Sequence, residues 1–346
     1  MTHLTYLEAA VVGLIQGVTE LFPISSLGHN VLLPALVGGS WEAHLDVASP
    51  ESPYLAFIVG LHVATALALL VYFWRDWVRI AGGFLSSLRA RRVETADQRL
   101  AWMIVLATIP VGIVGLVAEH PFRVIFGKPI VAGVFLAVNG LILIAGERYR
   151  SRASLAADKR AVATWEAELV MAGGRPAVPP APGQPGRGQP GRGQPPAHAR
   201  IRTSGHPEQA DAIASDRRVS VVGYGKAIVI GSSQILALLA GISRDGVTMV
   251  TGMARGLSRE DAARFAFLLS TPVILAAGML KIPDLFGPLG NGIHGQILVG
   301  SVLSFVGAYF SVRFLVRYLR TRTLTPFGIY CLVAGLASVV YLGFIQ

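Results

Sequence analysis

The sequence predicts an all-α polytopic membrane protein made of two inverted-topology repeats, each a re-entrant helix pair followed by three transmembrane helices. Three observations lead there. Of 346 residues 53% are hydrophobic and only 14% charged, with mean hydropathy +0.56, against roughly 25% charged in a soluble domain. Six stretches approach the ~20 apolar residues that a bilayer span requires. The halves also share one pattern: Gln16 is followed nine positions on by Ser25, then Ser26 and Gly28, and Gln234 is followed at the same spacing by Ser243, Arg244 and Gly246. Each half thus carries one polar, Gly-bearing break inside an apolar stretch, and unwound backbone at membrane depth is tolerated only where protein or a watery cavity receives it.

The first break occupies Tyr6 to Val37. No basic region precedes its apolar run, so the sequence predicts a segment retained in the mature protein rather than a cleaved signal peptide. Gln16 and Glu20 are four apart and share a helix face, where a carboxylate at membrane depth costs at least about 2.5 kcal/mol unless it meets a partner or a cavity. Pro23 disfavours helix at Phe22 and releases the chain before Ser25 and Ser26. Either Ser can cap the next helix, whose free N–H groups suit a phosphate, with His29 one turn in. The alternative is structural: serines as caps and Glu20 paired with an Arg.

Three spans follow, about Leu55 to Trp74, Leu100 to Val117 and Ile130 to Gly146. His62 inside the first and Glu147 at the end of the third read as packed or helix-end residues. The net charge of +10 does not point to nucleic acid, because the bases cluster at span ends. Arg75, Arg79, Arg89, Arg91 and Arg92 sit in one loop, Arg148, Arg150, Arg152, Lys159 and Arg160 in a second, and Arg313, Arg317, Arg320 and Arg322 in a third. The positive-inside rule puts all three in the cytoplasm, so the first break enters from outside and the second from inside.

Residues 1–150 therefore read as the first membrane repeat, 151–220 as a disordered cytoplasmic linker and 221–346 as the second repeat. The five-residue repeat within 183–196 lacks apolar groups to offset ordering entropy, although a short amphipathic helix around Leu155 to Val170 is compatible with its composition. The second break, Val221 to Thr251, brings Ser243, Arg244, Asp245 and Thr248, with Gly241 and Gly246 permitting tight backbone. An intramembrane Arg presents a planar fork of donors that suits a phosphate, though Asp245 beside it could neutralise it instead. Spans at about Phe265 to Leu280, Ile297 to Val316 and Thr325 to Phe344 complete the half. The single Cys, Cys331, excludes an intramolecular disulfide or a Cys-rich metal site and reads as an inert apolar residue.

These residues carry a resemblance. Gln16-x-x-x-Glu20 followed by Leu-Phe-Pro-Ile-Ser-Ser-x-Gly-His29 is similar to the first signature of the bacitracin-resistance type of undecaprenyl-diphosphate phosphatase, and Gly241-Ile-Ser-Arg-Asp-Gly-Val-Thr248 resembles its second. The likeness extends to Tyr72-Phe-Trp-Arg75, Phe265 to Pro272 and Thr325-Pro-Phe-Gly-Ile-Tyr330. It implies an integral enzyme of the bacterial cytoplasmic membrane that cleaves a C55 polyprenyl diphosphate to monophosphate and phosphate, recycling the carrier for peptidoglycan. It further implies a site open to the outer face and a divalent cation, Mg²⁺ or Ca²⁺; a homo-oligomer is compatible with the sequence. On this chain, Ser26 would be the nucleophile, His29 the acid/base, Glu20 with Gln16 the metal or water handler, and Ser25, Ser243, Arg244 and Thr248 the diphosphate binders.

Three positions depart from the family's pattern. Gln16 stands where a carboxylate is usual, Ala240 where a Pro is usual, and Asp245 where a Ser is commoner. Gln16 cannot be an anionic ligand, which leaves Glu20 as the metal ligand of the first break and Asp245 as a compensating one from the second. Paired breaks also suit an alternating-access carrier or flippase for the same lipid. The phosphatidic-acid phosphatase pattern fails, since Val250 stands where its second motif needs a His.

Overall fold

The structure is a computed structural model that describes residues 4–45, 53–126, 128–171, 207–287 and 290–344. Among these residues the regular elements are helical, with no strand. Helix α1 (Tyr6–Leu21) begins with a reciprocal cap: Thr5 Oγ1 accepts from Glu8 N at 3.2 Å and the Glu8 carboxylate accepts from Thr5 N at 2.7 Å. It ends where Phe22 turns extended ahead of Pro23. Then come α2 (Ser26–Val37), α3 (Ser40–His44), α4 (Pro53–Tyr72), α5 (Trp74–Ala90), α6 (Ala96–Phe126) and α7 (Pro129–Met171). After the segment 172–206, which contains the five-residue repeat and lies outside the described residues, come α8 (Pro207–Ser220) and α9 (Tyr224–Ser232). A 3₁₀ turn over Ser233–Leu238 leads to α10 (Arg244–Ala254), α11 (Arg259–Phe286), α12 (His294–Thr321) and α13 (Thr325–Phe344).

Five described helices are long and apolar enough to cross a membrane, or up to seven if each of two bent pairs counts as one span. The six spans read from sequence fall in α4, α6, α7, α11, α12 and α13. Two expectations change. The loop carrying Arg75 to Arg89 is helix: α4 bends by 85° into α5, which buries Ile80 and Ser87, exposes Arg75 and Arg89, and holds Asp76 and Arg79 half-buried. The expected disordered linker is helical at both ends. Helix α7 continues through an Ala-, Glu-, Lys- and Arg-rich run of good helix formers to Met171, and residues 207–220 form α8.

Helix α8 is held by charge. Asp216 accepts from Arg264 of α11 at 2.7 and 2.9 Å and pairs with Arg79 of α5, which also pairs with Asp97. Arg218 of α8 binds Asp261 of α11 at 2.8 and 2.9 Å. This polar lattice was invisible in the sequence because its members lie far apart along the chain. Glu147, expected at a helix end, lies inside the longer α7, where it pairs with Arg259 and accepts from Leu324 N at 3.1 Å.

Helix contacts exchange between the halves. Helix α1 packs on α12 through small residues, so a Cβ at Gly13 would lie 2.4 Å from Gly300 O and one at Gly17 2.3 Å from Ser304 O. Correspondingly, α9 packs on α6, where a Cβ at Gly231 would lie 2.0 Å from Ala107 O. The first spans of the two halves, α4 and α11, pack against each other. This reciprocal arrangement, consistent with a duplicated fold, brings the two breaks together.

Candidate active site

Both breaks are built on the same cap. Ser25 accepts from Gly28 N at 3.2 Å and starts α2, and Ser243 accepts from Gly246 N at 3.1 Å and starts α10. The backbones touch: a Cβ on Gly28 would lie 2.9 Å from Gly241 Cα. Gly241 itself has φ +109° and sits so close to α7 that a Cβ would lie 2.4 Å from Ala132 O, so only glycine fits there. Ser25 holds φ +67° without that freedom, a strained conformation fixed by its cap and by the packing around it.

Asn139 of α7 ties the breaks to each other. Its Oδ1 accepts from Ser243 N at 3.0 Å, and its Nδ2 donates to Pro23 O at 3.0 Å and to Cys331 Sγ at 3.4 Å. Thus one buried amide satisfies backbone groups of both halves. Cys331, read as inert, is fully buried in this contact.

Glu20 is the centre. Its Oε1 accepts from Arg244 Nη2 across the two halves, and its Oε2 accepts from Ser26 Oγ and from Gln16 Nε2, the latter at 2.8 Å. Gln16 is oriented in turn by Asn30, which donates to its Oε1 at 2.6 Å. His62, which the sequence reading left as a packed residue, places Nε2 3.5 Å from Glu20 Oε2, within ion-pair range, while its Nδ1 donates to Ile58 O at 2.9 Å. A carboxylate buried to 7% exposure is therefore met by a guanidinium, a hydroxyl, an amide and an imidazole.

The remaining candidates surround this centre. His29 Nδ1 donates to Ser25 O at 2.7 Å, and its Nε2 is 2.8 Å from the Tyr330 hydroxyl, so His29 turns to α13 rather than to Ser26. Thr248 donates to Arg244 O at 2.7 Å. Asp245 does not pair with Arg244 in a hydrogen bond; its Oδ1 accepts from Ser270 of α11, and its Oδ2 is buried without a partner among the described residues. Arg244 Nε is likewise a buried donor without an acceptor among the described residues. Ser25 and Ser243 spend their side chains on helix caps, so what they present outward is backbone.

Tyr330, Asn139, Asn30 and Ser270 were missed as site residues. A polar side chain within an apolar span was the available signal for Asn139 and Ser270, whereas Tyr330 reads as an ordinary interfacial aromatic.

A metal ion finds limited purchase. Among the described residues no group of three His, Cys, Asp or Glu side chains converges. The orphaned Asp245 Oδ2 fits a hard cation that takes its other oxygens from phosphate and water. Glu20 has both oxygens engaged and could join such a cation only on releasing Ser26, Gln16 or Arg244.

The same residues sit in a known family. The family described as "Bacitracin resistance protein BacA" matches residues 9–173 and 203–337. The chain is 56% identical to the protein named undecaprenyl-diphosphatase of Mycolicibacterium paratuberculosis, covering 98% of each chain. It is 54% identical to undecaprenyl-diphosphatase 2 of Frankia alni over 97% of each. A more distant relative, undecaprenyl-diphosphatase 2 of Chromobacterium violaceum, is 35% identical over 97% of this chain and 98% of its own. Glu20, Ser26, His29 and Arg244 all lie inside the matched residues, and the chain belongs to the BacA family.

Proposed function

We infer that the chain is an integral membrane phosphatase that hydrolyses undecaprenyl diphosphate to undecaprenyl phosphate and inorganic phosphate. It thereby recycles the lipid carrier for peptidoglycan synthesis and confers bacitracin resistance. Family membership and full-length relatives bearing that name support the reaction. The observation that carries the chemistry is the pairing across the halves: a hydroxyl and a guanidinium held on opposite oxygens of one buried carboxylate.

The steps follow from those contacts. A diphosphate ester brings about three negative charges, so catalysis depends on placement and charge neutralisation. Arg244, with one buried donor unused, turns its fork from Glu20 to the diphosphate. Glu20 then takes the Ser26 proton as Oγ bonds to the terminal phosphorus. The bond to the bridging oxygen breaks, and the polyprenyl monophosphate leaves with that oxygen. Water attacks the Ser26 phosphoester, inorganic phosphate departs, and Glu20 returns the proton to Oγ, while His29 handles the proton of the attacking water. The free N–H groups at the starts of α2 and α10, capped by Ser25 and Ser243, and the Thr248 hydroxyl line the phosphate path.

A divalent cation, Mg²⁺ or Ca²⁺, would supply charge neutralisation on the phosphate oxygens, with Asp245 as its readiest protein ligand and Glu20 a second. Asp245→Ser should then change the concentration of Mg²⁺ needed for half-maximal phosphate release; an unchanged requirement removes Asp245 from that role.

The Arg clusters support an orientation with their loops in the cytoplasm, and the family resemblance supports a bacterial cytoplasmic membrane with the site toward the outer face. The test is phosphate release from undecaprenyl diphosphate by the detergent-purified protein, with Mg²⁺ and with chelator, beside Ser26→Ala and Arg244→Ala. Release abolished in both variants is expected. A folded wild type that binds the lipid diphosphate and releases no phosphate would instead be a carrier.

A further inference from the structure

We propose that Tyr330 is a positioning residue for His29: its hydroxyl donates to Nε2 and fixes the direction of that lone pair, while Ser25 O keeps the proton on Nδ1. This rests on His29 handling a proton in the phosphatase site.

The geometry allows few alternatives. Ser25 O is a carbonyl and can only accept, so the 2.7 Å contact assigns a proton to His29 Nδ1. In the neutral ring Nε2 then carries the lone pair, and the hydroxyl 2.8 Å away donates to it. The two rings are also nearly parallel, at 5° with centroids 5.8 Å apart, which sets the plane of the imidazole. Ser25 is itself fixed in a strained conformation by the cap of α2. Hence one nitrogen of His29 is tied to the first half of the chain and the other to the last helix of the second half.

The arrangement has a catalytic consequence. A base must present a lone pair in a defined direction, and without the phenol nothing among the described contacts of His29 would hold Nε2. Tyr330 acts through His29 and touches no reacting bond.

Tyr330→Phe removes the hydroxyl and keeps the ring stack. The expected result is a kcat about tenfold lower with the KM for undecaprenyl diphosphate changed less than about threefold, as loss of one hydrogen bond in the reacting state implies. The ¹⁵N signal of His29 Nε2, assigned by difference against His29→Asn, should move toward that of an imidazole nitrogen accepting no hydrogen bond in Tyr330→Phe, while Nδ1 keeps its proton, donated to Ser25 O. Tyr330→Ala, which also loses the stack, should be slower still. A Tyr330→Phe variant with wild-type kcat, or one that is slow but has an unchanged Nε2 signal, overturns the proposal. If His29→Ala itself turns over normally, the assignment of His29 to the reaction fails, whatever Tyr330 does.

Discussion

The two breaks share a cap and little else. In the first, Pro23 interrupts the helix and Ser25 absorbs the turn at positive φ; in the second, a 3₁₀ turn unwinds the chain and Gly241 absorbs it. The first offers an acceptor and a hydroxyl, Glu20 and Ser26, and the second offers a donor, Arg244, at the position where the first has Ser26. The two halves thus carry equivalent helix starts of opposite charge. Once packed face to face they satisfy one another, which is how a carboxylate and a guanidinium are accommodated in so apolar a chain.

That complementarity can be broken from either side. The largest effect is expected for Glu20→Gln and Arg244→Ala, each lowering phosphate release by roughly 10²–10⁴-fold through loss of the base or the charge it works with. Gly241→Ala should be the most damaging change to the fold, since a strained φ and contact with the α7 backbone together cost about 2–5 kcal/mol. It should appear as a marked fall in the melting temperature in detergent, whereas Gly28→Ala, with ordinary helical backbone, should fall less. Asn139→Ala leaves Ser243 N and Pro23 O unpaired and should cost roughly 1–3 kcal/mol. If it melts like the wild type, the breaks are held together by other contacts. The smallest changes are expected at the caps, where Ser25→Ala and Ser243→Ala should each cost about 1 kcal/mol; a larger loss at Ser25 would sharpen the contrast, because its strained backbone depends on the cap.

Local physics was readable in the sequence. Gln16 and Glu20, four apart, do bond to each other at 2.8 Å; Ser25, one of the two serines read as a cap, does cap; and the apolar runs are helices. What escaped reading depends on partners brought from elsewhere. Which cation Glu20 meets could not be told from the first break, and Asp245, adjacent to Arg244 in sequence, turns to Ser270 instead because successive residues on a helix point to different faces. His62 was visible as a polar residue in an apolar span, but only the packing of α4 beside α1 makes it a neighbour of Glu20. Helix α8 was hidden by the Pro- and Gly-rich segment before it, and its Asp216 and Arg218 gain meaning only from Arg79, Arg264 and Asp261.

The central claim is that the two halves form one catalytic site through Glu20 and Arg244. A double-mutant cycle on phosphate release from undecaprenyl diphosphate tests it most directly, using Glu20→Gln, Arg244→Gln and the pair. One shared site predicts strong coupling, with the double variant little slower than the slower single variant. Rate losses that simply multiply would mean that Glu20 and Arg244 act independently, and the pairing across the halves would then be structural rather than catalytic.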